Sequence, residues 1–272
     1  MIDNQLLRPV SEKGKRIYMN HGRLVRGLAL VDNKITWRGL QNKIVEGPNI
    51  IIANHPGPYK DVAVIATLYH DRQLFFTATK ALFSPTECNE MIKDYVRKGI
   101  LNKFSIFGTA FADNTNAFLT PLRYLFARYI ASCIAETGAI PVATREKNNE
   151  ETKRVMEEYL LDNQAIVLFQ FQSLLPGRTD RPRSKYAPSN PDIYEFKYGA
   201  AKLAYNMLIK HGKVVPITPI SIKGSRRIIF GNIKVNIGAP MYITEHLSDI
   251  NPVAAFKENL EKRVVELYHE VK

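Results

Sequence analysis

Asn49-Ile-Ile-Ile-Ala-Asn-His-Pro-Gly-Pro-Tyr-Lys-Asp61 reads as a hydrophobic strand, a rigid turn and the opening of a helix. The strand delivers Asn54 and His55 to its carboxyl end, the edge of an open α/β sheet outside which ligands bind. Gly57 between two prolines makes the turn, and Asp61 follows it. Such a turn can fold the carboxylate back onto the imidazole, fixing its tautomer and leaving the second ring nitrogen free to take a proton. The alternative is that Asp61 caps its helix and His55 is structural, the commoner fate of a lone histidine at a strand end.

Outward from this stretch, short β-branched runs alternate with helical patterns. Strands are predicted at Lys34–Arg38, Asn49–Ala53, Leu74–Ala78, Ala139–Ala143, Ala165–Phe171, Val214–Ile222 and Ile228–Ile237. The uninterrupted apolar run at 165–171 suits a strand covered on both faces. Helices are predicted at Asp61–Tyr69, from Pro85 to about Gly99, and from an N-cap at Thr120 with Pro121 in the first turn. In that last helix Leu122, Leu125, Phe126, Tyr129, Ile130, Cys133 and Ile134 follow the rhythm of one buried face. Asn148 with Glu151 resembles a capping box for a helix ending at Leu161. Further helices fall at Lys197–Lys210 and after Asn251-Pro252, the latter using Val253, Phe256, Leu260, Val264, Leu267 and Val271. Leu101–Asn116 reads as irregular. Gln172–Phe196 is a long aperiodic segment of the kind that is functional or disordered. The fold class expected is α/β, with a mostly parallel or mixed central sheet and helices on both faces. A basic N-terminal helical segment, 1–33, is expected to precede one α/β domain, 34–272.

The chain has 272 residues, 45% of them hydrophobic and 24% charged, which excludes wholesale disorder. Two cysteines, Cys88 and Cys133, make no disulfide or zinc pattern. His21, His70, His211, His246 and His269 lack metal-ligand spacing, so neither metal nor cofactor is expected. There is no apolar run of about 18–20 residues, and Met1 to Asn20 is too polar for a signal peptide; a cytoplasmic protein is expected. The net charge is +12, and residues 1–46 hold nine basic against four acidic residues. Such a bias favours an anionic partner. There is no recognisable nucleic-acid module, which leaves membrane phosphate, an acidic carrier protein, a phosphorylated substrate or a plain solvated basic face. The segment holding Ile17, Leu24, Val25 and Leu28 could set the protein peripherally on an anionic membrane surface.

Asn54-His55, five residues and Asp61 resemble the signature of the glycerolipid acyltransferase superfamily, the lysophosphatidate acyltransferase-like group, in its longer-spaced form. Further similarities follow in order. Trp37-Arg38-Gly39-Leu40 resembles the strand before the motif, and Thr79-Lys80-Ala81-Leu82-Phe83 the lysine-containing segment. Gly138-Ala-Ile-Pro-Val-Ala-Thr-Arg145 resembles the acceptor-binding block, its arginine one residue late. Phe196-Lys197-Tyr198-Gly199 resembles a helix start, and Val215–Ile222 the last core strand. The resemblance covers roughly 34–240 and implies transfer of a fatty acyl group from an acyl thioester, acyl-CoA or acyl-carrier protein, to a hydroxyl of a glycerol-phosphate-type acceptor. It casts His55 as general base and Asp61 as its orienting carboxylate, with Asn54, Lys80, Arg145, Arg178 and Lys197 toward substrate. Backbone N–H groups of the Pro-Gly turn or nearby strand ends are expected to meet the oxyanion.

The third block departs from the family. Where Phe-Pro-Glu-Gly-Thr-Arg is usual, this chain has Leu168-Phe-Gln-Phe-Gln-Ser-Leu-Leu-Pro-Gly-Arg178. Gln170 or Gln172 can hydrogen-bond an acceptor but supplies no negative charge. Two alternatives therefore stand beside the phosphorylated acceptor: an unphosphorylated alcohol or amine, and a non-catalytic basic lipid-binding protein.

Overall fold

The computed structural model describes residues 12–31, 33–57, 60–103, 105–142, 150–170, 182–226 and 231–270. The elements run α1 (Glu12–Leu30), β1 (Lys34–Arg38), β2 (Asn49–Asn54), α2 (Lys60–Leu68), β3 (Leu74–Thr79), α3 (Pro85–Lys103), α4 (Gly108–Phe118) and α5 (Thr120–Glu136). They continue with β4 (Ile140–Val142), α6 (Glu150–Leu161), β5 (Ala165–Gln170), α7 (Gly199–His211), β6 (Ile217–Lys223), β7 (Asn232–Ile237) and α8 (Pro252–Glu270). Two compact units divide them: Tyr18–Thr77 with Glu150–Lys272, and Met1–Ile17 with Ala78–Asn149.

The larger unit is α/β. Its strands lie in the order β1-β7-β6-β2-β5-β3, every pairing parallel except β6 with β7. Parallel neighbours need crossover connections, and the helices between strands supply them. Ile50, Ile51, Ile52 and Ala53 are all fully buried, so β2 is sealed on both faces. Ile51 and Ala53 share one cluster with Val64, Ile65 and Leu68 of α2 and Tyr18 of α1. By alternation Ile50 and Ile52 point to the other face, and α7 packs against β2 as α8 does against β6. Asn251 Oδ1 accepts the Ala254 N–H at 3.1 Å, capping α8. Phe256, Leu260, Val264 and Leu267 turn inward along it, as the periodicity predicts. Asn148 and Val271, singled out in the sequence, lie outside the described residues.

The smaller unit corrects three expectations. Leu101–Asn116 is not irregular but belongs mostly to α3 and α4. Gly, Thr and Asn are poor helix formers, and α4 is held by tertiary contacts: Asn116 Nδ2 donates to Lys93 O at 3.1 Å, and Asp113 pairs with Arg97. Thr120 is not an N-cap. Leu119 occupies that position, and the Thr120 hydroxyl donates back to Asn116 O at 3.3 Å.

The third correction concerns which face of α5 is buried. Arg123, Ala127 and Ala131 face inward, whereas Leu122 and Leu125 are each 65% exposed and Phe126 is 53% exposed. Ala127 packs with Cys88 and Ile92 of α3, and Ile130 is partly buried against that cluster. Small side chains let two helices approach closely, so the alanine face takes the contact and the large residues stay outside.

Candidate active site

β2 lies between β5 and β6, so its carboxyl end opens at the middle of the sheet. Register pairs Ala53 with Phe169 and Asn54 with Gln170, so β2 and β5 end side by side. The Asn54 amide spans to β6: its Oδ1 accepts the Ile222 N–H at 2.7 Å and its Nδ2 donates to Ile222 O at 2.8 Å. A longer bond of 3.4 Å joins the same Nδ2 to Asp192 O. Asp192 is itself held by the Tyr268 hydroxyl at 2.7 Å and by Arg226 at 2.8 Å. Burial, reinforced by the bond to the Asp192 carboxylate, pushes the Tyr268 hydroxyl well above the ordinary tyrosine range and keeps it a donor.

The next residue is His55, 7% exposed, and its Nδ1 lies 2.8 Å from Asp61 Oδ2. Asp61 sits in the first turn of α2, fully buried. The same Oδ2 accepts the Gly57 N–H at 2.8 Å, and the Asp61 N–H returns to Gly57 O at 3.1 Å. Asp61 thus closes the turn and meets the imidazole with one oxygen; Oδ1 is buried without a hydrogen-bond partner. A carboxylate can only accept, so His55 Nδ1 is the donor, and in the neutral ring Nε2 carries the lone pair. Nε2 makes no hydrogen bond among the described residues.

Gly57 is required by close approach. A Cβ there would lie 2.4 Å from Ser225 O and 2.8 Å from its carbonyl carbon. The turn also limits where an oxyanion can be met: Pro56 and Pro58 have no N–H, and that of Gly57 is spent on Asp61. Donors from the Pro-Gly-Pro turn itself, one of the two expected sources, are therefore excluded.

Phe169 is the site residue that sequence reasoning missed. Its ring stacks on the His55 imidazole with centroids 4.1 Å apart and planes at 16°. Phe76 stacks behind it, 6.2 Å from Phe169. Within a continuous apolar run nothing marks Phe169 as different; only the register of β5 beside β2 places it against the histidine.

Gln170 is buried, and its Oε1 accepts the Lys197 N–H at 3.0 Å. The segment before α7 is fixed from a second side by Glu261, which accepts from Ser184 Oγ at 2.6 Å and from the Phe196 N–H at 2.9 Å. Lys257 pairs with Glu261 at 3.2 Å and with Glu195 at 3.0 Å. Residues 182–196 of the long aperiodic segment are thus tied down rather than loose, and they set Lys197 on an exposed turn beside the end of β5. Lys80, half-buried, opens a short turn of 3₁₀ helix after β3 in the smaller unit. Arg145, Arg178 and Gln172 lie outside the described residues. The larger unit therefore brings together Asn54, His55, Asp61 and the Lys197 turn.

No protein-family model and no curated protein matches the chain. Among solved structures it is similar to the crystal structure of the 1-acyl-sn-glycerophosphate (LPA) acyltransferase PlsC from Thermotoga maritima. That match has a TM-score of 0.49 and 17% sequence identity, and covers 100% of this chain and 84% of that one.

Proposed function

We propose that this protein is an acyltransferase that moves a fatty acyl group from an acyl thioester to an acceptor hydroxyl. The observation that carries the reading is the buried 2.8 Å contact between His55 Nδ1 and Asp61 Oδ2 on a strand-end turn, with Nε2 unbonded among the described residues. Nε2 takes the proton of the acceptor hydroxyl as its oxygen attacks the thioester carbonyl. The imidazolium formed faces the Asp61 carboxylate. Collapse of the tetrahedral intermediate breaks the C–S bond, and the proton passes from Nε2 to the departing thiolate. No covalent enzyme intermediate and no cofactor enters this sequence.

The acceptor we propose is of the glycerol-phosphate type and the donor acyl-CoA or acyl-carrier protein. The ordered sequence blocks support both, and the net charge of +12 suits anionic substrates. Lys80, Arg145, Arg178 and Lys197 are the proposed phosphate contacts: arginine meets phosphate bidentately and lysine as a point charge. One observation favours a neutral alcohol or amine instead: Gln170 follows Phe169 where the family's glutamate block is usual, and its oxygen is engaged by Lys197.

The test is thioester consumption across a panel of acceptors with the wild type and His55→Ala. The variant should fold and lose about 10²–10⁴-fold in turnover. Near-normal turnover in folded His55→Ala overturns the mechanism. A wild type that ignores every phosphorylated acceptor yet acylates a neutral one transfers the conclusion to the second reading.

A further inference from the structure

The smaller unit carries an apolar stripe that the acyltransfer reading does not use. Leu122, Leu125, Phe126 and Tyr129 occupy i, i+3, i+4 and i+7 on the outer face of α5, and all are exposed. Phe118, at the end of α4, extends the exposed apolar surface. Contiguous exposed apolar surface of this kind marks an interaction site. Its charge pattern narrows the partner. The acidic residues of α4 and α5 are Asp113 and Glu136, and each is already paired, Asp113 with Arg97 and Glu136 with Lys13. Arg128, exposed on the flank of the stripe, has no ion pair among the described residues.

From this stripe we infer that α5 docks on an anionic lipid bilayer, its leucine and aromatic side chains entering the headgroup–acyl boundary and Arg128 meeting lipid phosphate. A second copy is a poorer occupant. A two-fold interface sets the same patch against itself, and the carboxylates of α4 and α5 are already paired within the chain rather than offered to Arg128. No helix among the described residues is long and apolar enough to cross a membrane, so the contact lies on the surface. The inference moves docking from the basic N-terminal segment to α5. It does not depend on acyl transfer, because the test contains no substrate.

The protein is co-sedimented with vesicles of phosphatidylcholine alone and of phosphatidylcholine with equimolar phosphatidylglycerol. The wild type should prefer the anionic vesicles. The double variant Leu125→Glu, Phe126→Glu should bind them at least about tenfold more weakly, with its thermal midpoint unchanged because both side chains are exposed. Arg128→Gln should narrow the preference for phosphatidylglycerol. Leu125→Trp adds a reporter, expected to be quenched by brominated lipid beyond the Trp37 background. The inference is overturned by a wild type that binds neither vesicle, by a double variant that binds as well as the wild type, or by an unquenched Leu125→Trp. It is equally overturned if light scattering finds a dimer that the double variant splits.

Discussion

Asp61→Asn is the most demanding test of the proposed base, because it changes two atoms' chemistry and almost no volume. Asp61 Oδ2 accepts two hydrogen bonds, from His55 Nδ1 and the Gly57 N–H, each 2.8 Å long. An asparagine can keep its oxygen there only by placing its NH₂ where Oδ1 now lies, buried and without a partner. Both bonds then survive without charge, and a buried amide is left unsatisfied at a cost of about 1–3 kcal/mol. The flipped amide is no better. Its NH₂ would face the Gly57 N–H donor to donor, and would force His55 to accept at Nδ1. The proton then sits on Nε2, the nitrogen that must take one. Either orientation removes the carboxylate that stabilises the imidazolium. Turnover should fall about 10²–10⁴-fold, with the thioester KM little changed and a thermal midpoint lower by several degrees. Thioester-consumption kinetics at saturating acceptor and a circular-dichroism melt measure all three. A folded Asp61→Asn enzyme within about threefold of wild-type turnover would refute the claim that this carboxylate sets the state of His55.

Two further outcomes follow from the larger unit. Gly57→Ala drives a Cβ to 2.4 Å from Ser225 O, so the turn must shift; stability should drop by about 1–3 kcal/mol in chemical denaturation and turnover should fall with it, and an unchanged melt and rate would contradict the packing described. Glu157 on α6 is acidified: burial opposes this, but hydrogen bonds from His211, Lys210 and Asn206 outweigh it and hold the carboxyl below the ordinary glutamate range. Its contribution is therefore full above that range and lost as pH falls through the depressed value, so Glu157→Gln should flatten the acid limb of a melting-temperature profile, and two parallel profiles would count against the assignment.

What the sequence made legible was local. The strand, turn and helix around His55 are encoded within 13 consecutive residues, and the turn is closed within them by the bonds between Gly57 and Asp61. What it concealed depends on neighbours remote in the chain. The Asn54 clamp needs Ile222 beside it, 168 residues away. The Phe169 stack needs the register of β5 against β2. On α5 the period was readable but not its direction: a helix with large apolar residues on one side and alanines on another fits either way round. The close approach of α3 selected the alanines. For α4, propensity pointed away from helix, and tertiary contacts reverse it: burial of Ala112 and the bonds to Lys93 and Arg97.

These long-range contacts suit His55 to the role proposed for it. His55 is fixed on its Nδ1 edge by Asp61 and on one ring face by Phe169, while the strand end that carries it is clamped to β6 through Asn54. A ring so confined loses little orientational freedom when an acceptor arrives, which is the part of the barrier that positioning removes. The neutral end of β5 matters for the same reason. With Gln170 there, Asp61 is the only carboxylate bonded to the imidazole among the described residues, and no second negative charge at that bond competes for the Nδ1 proton. The Gln170 oxygen is turned instead to the Lys197 backbone, fixing the turn that carries a cation beside the end of β5. In the proposed reaction, then, β2 holds the base, and β5 seats it through Phe169 while placing a phosphate contact through Gln170. In that proposed reaction a phosphorylated acceptor presents its hydroxyl to Nε2 and its anionic end toward the Lys197 turn.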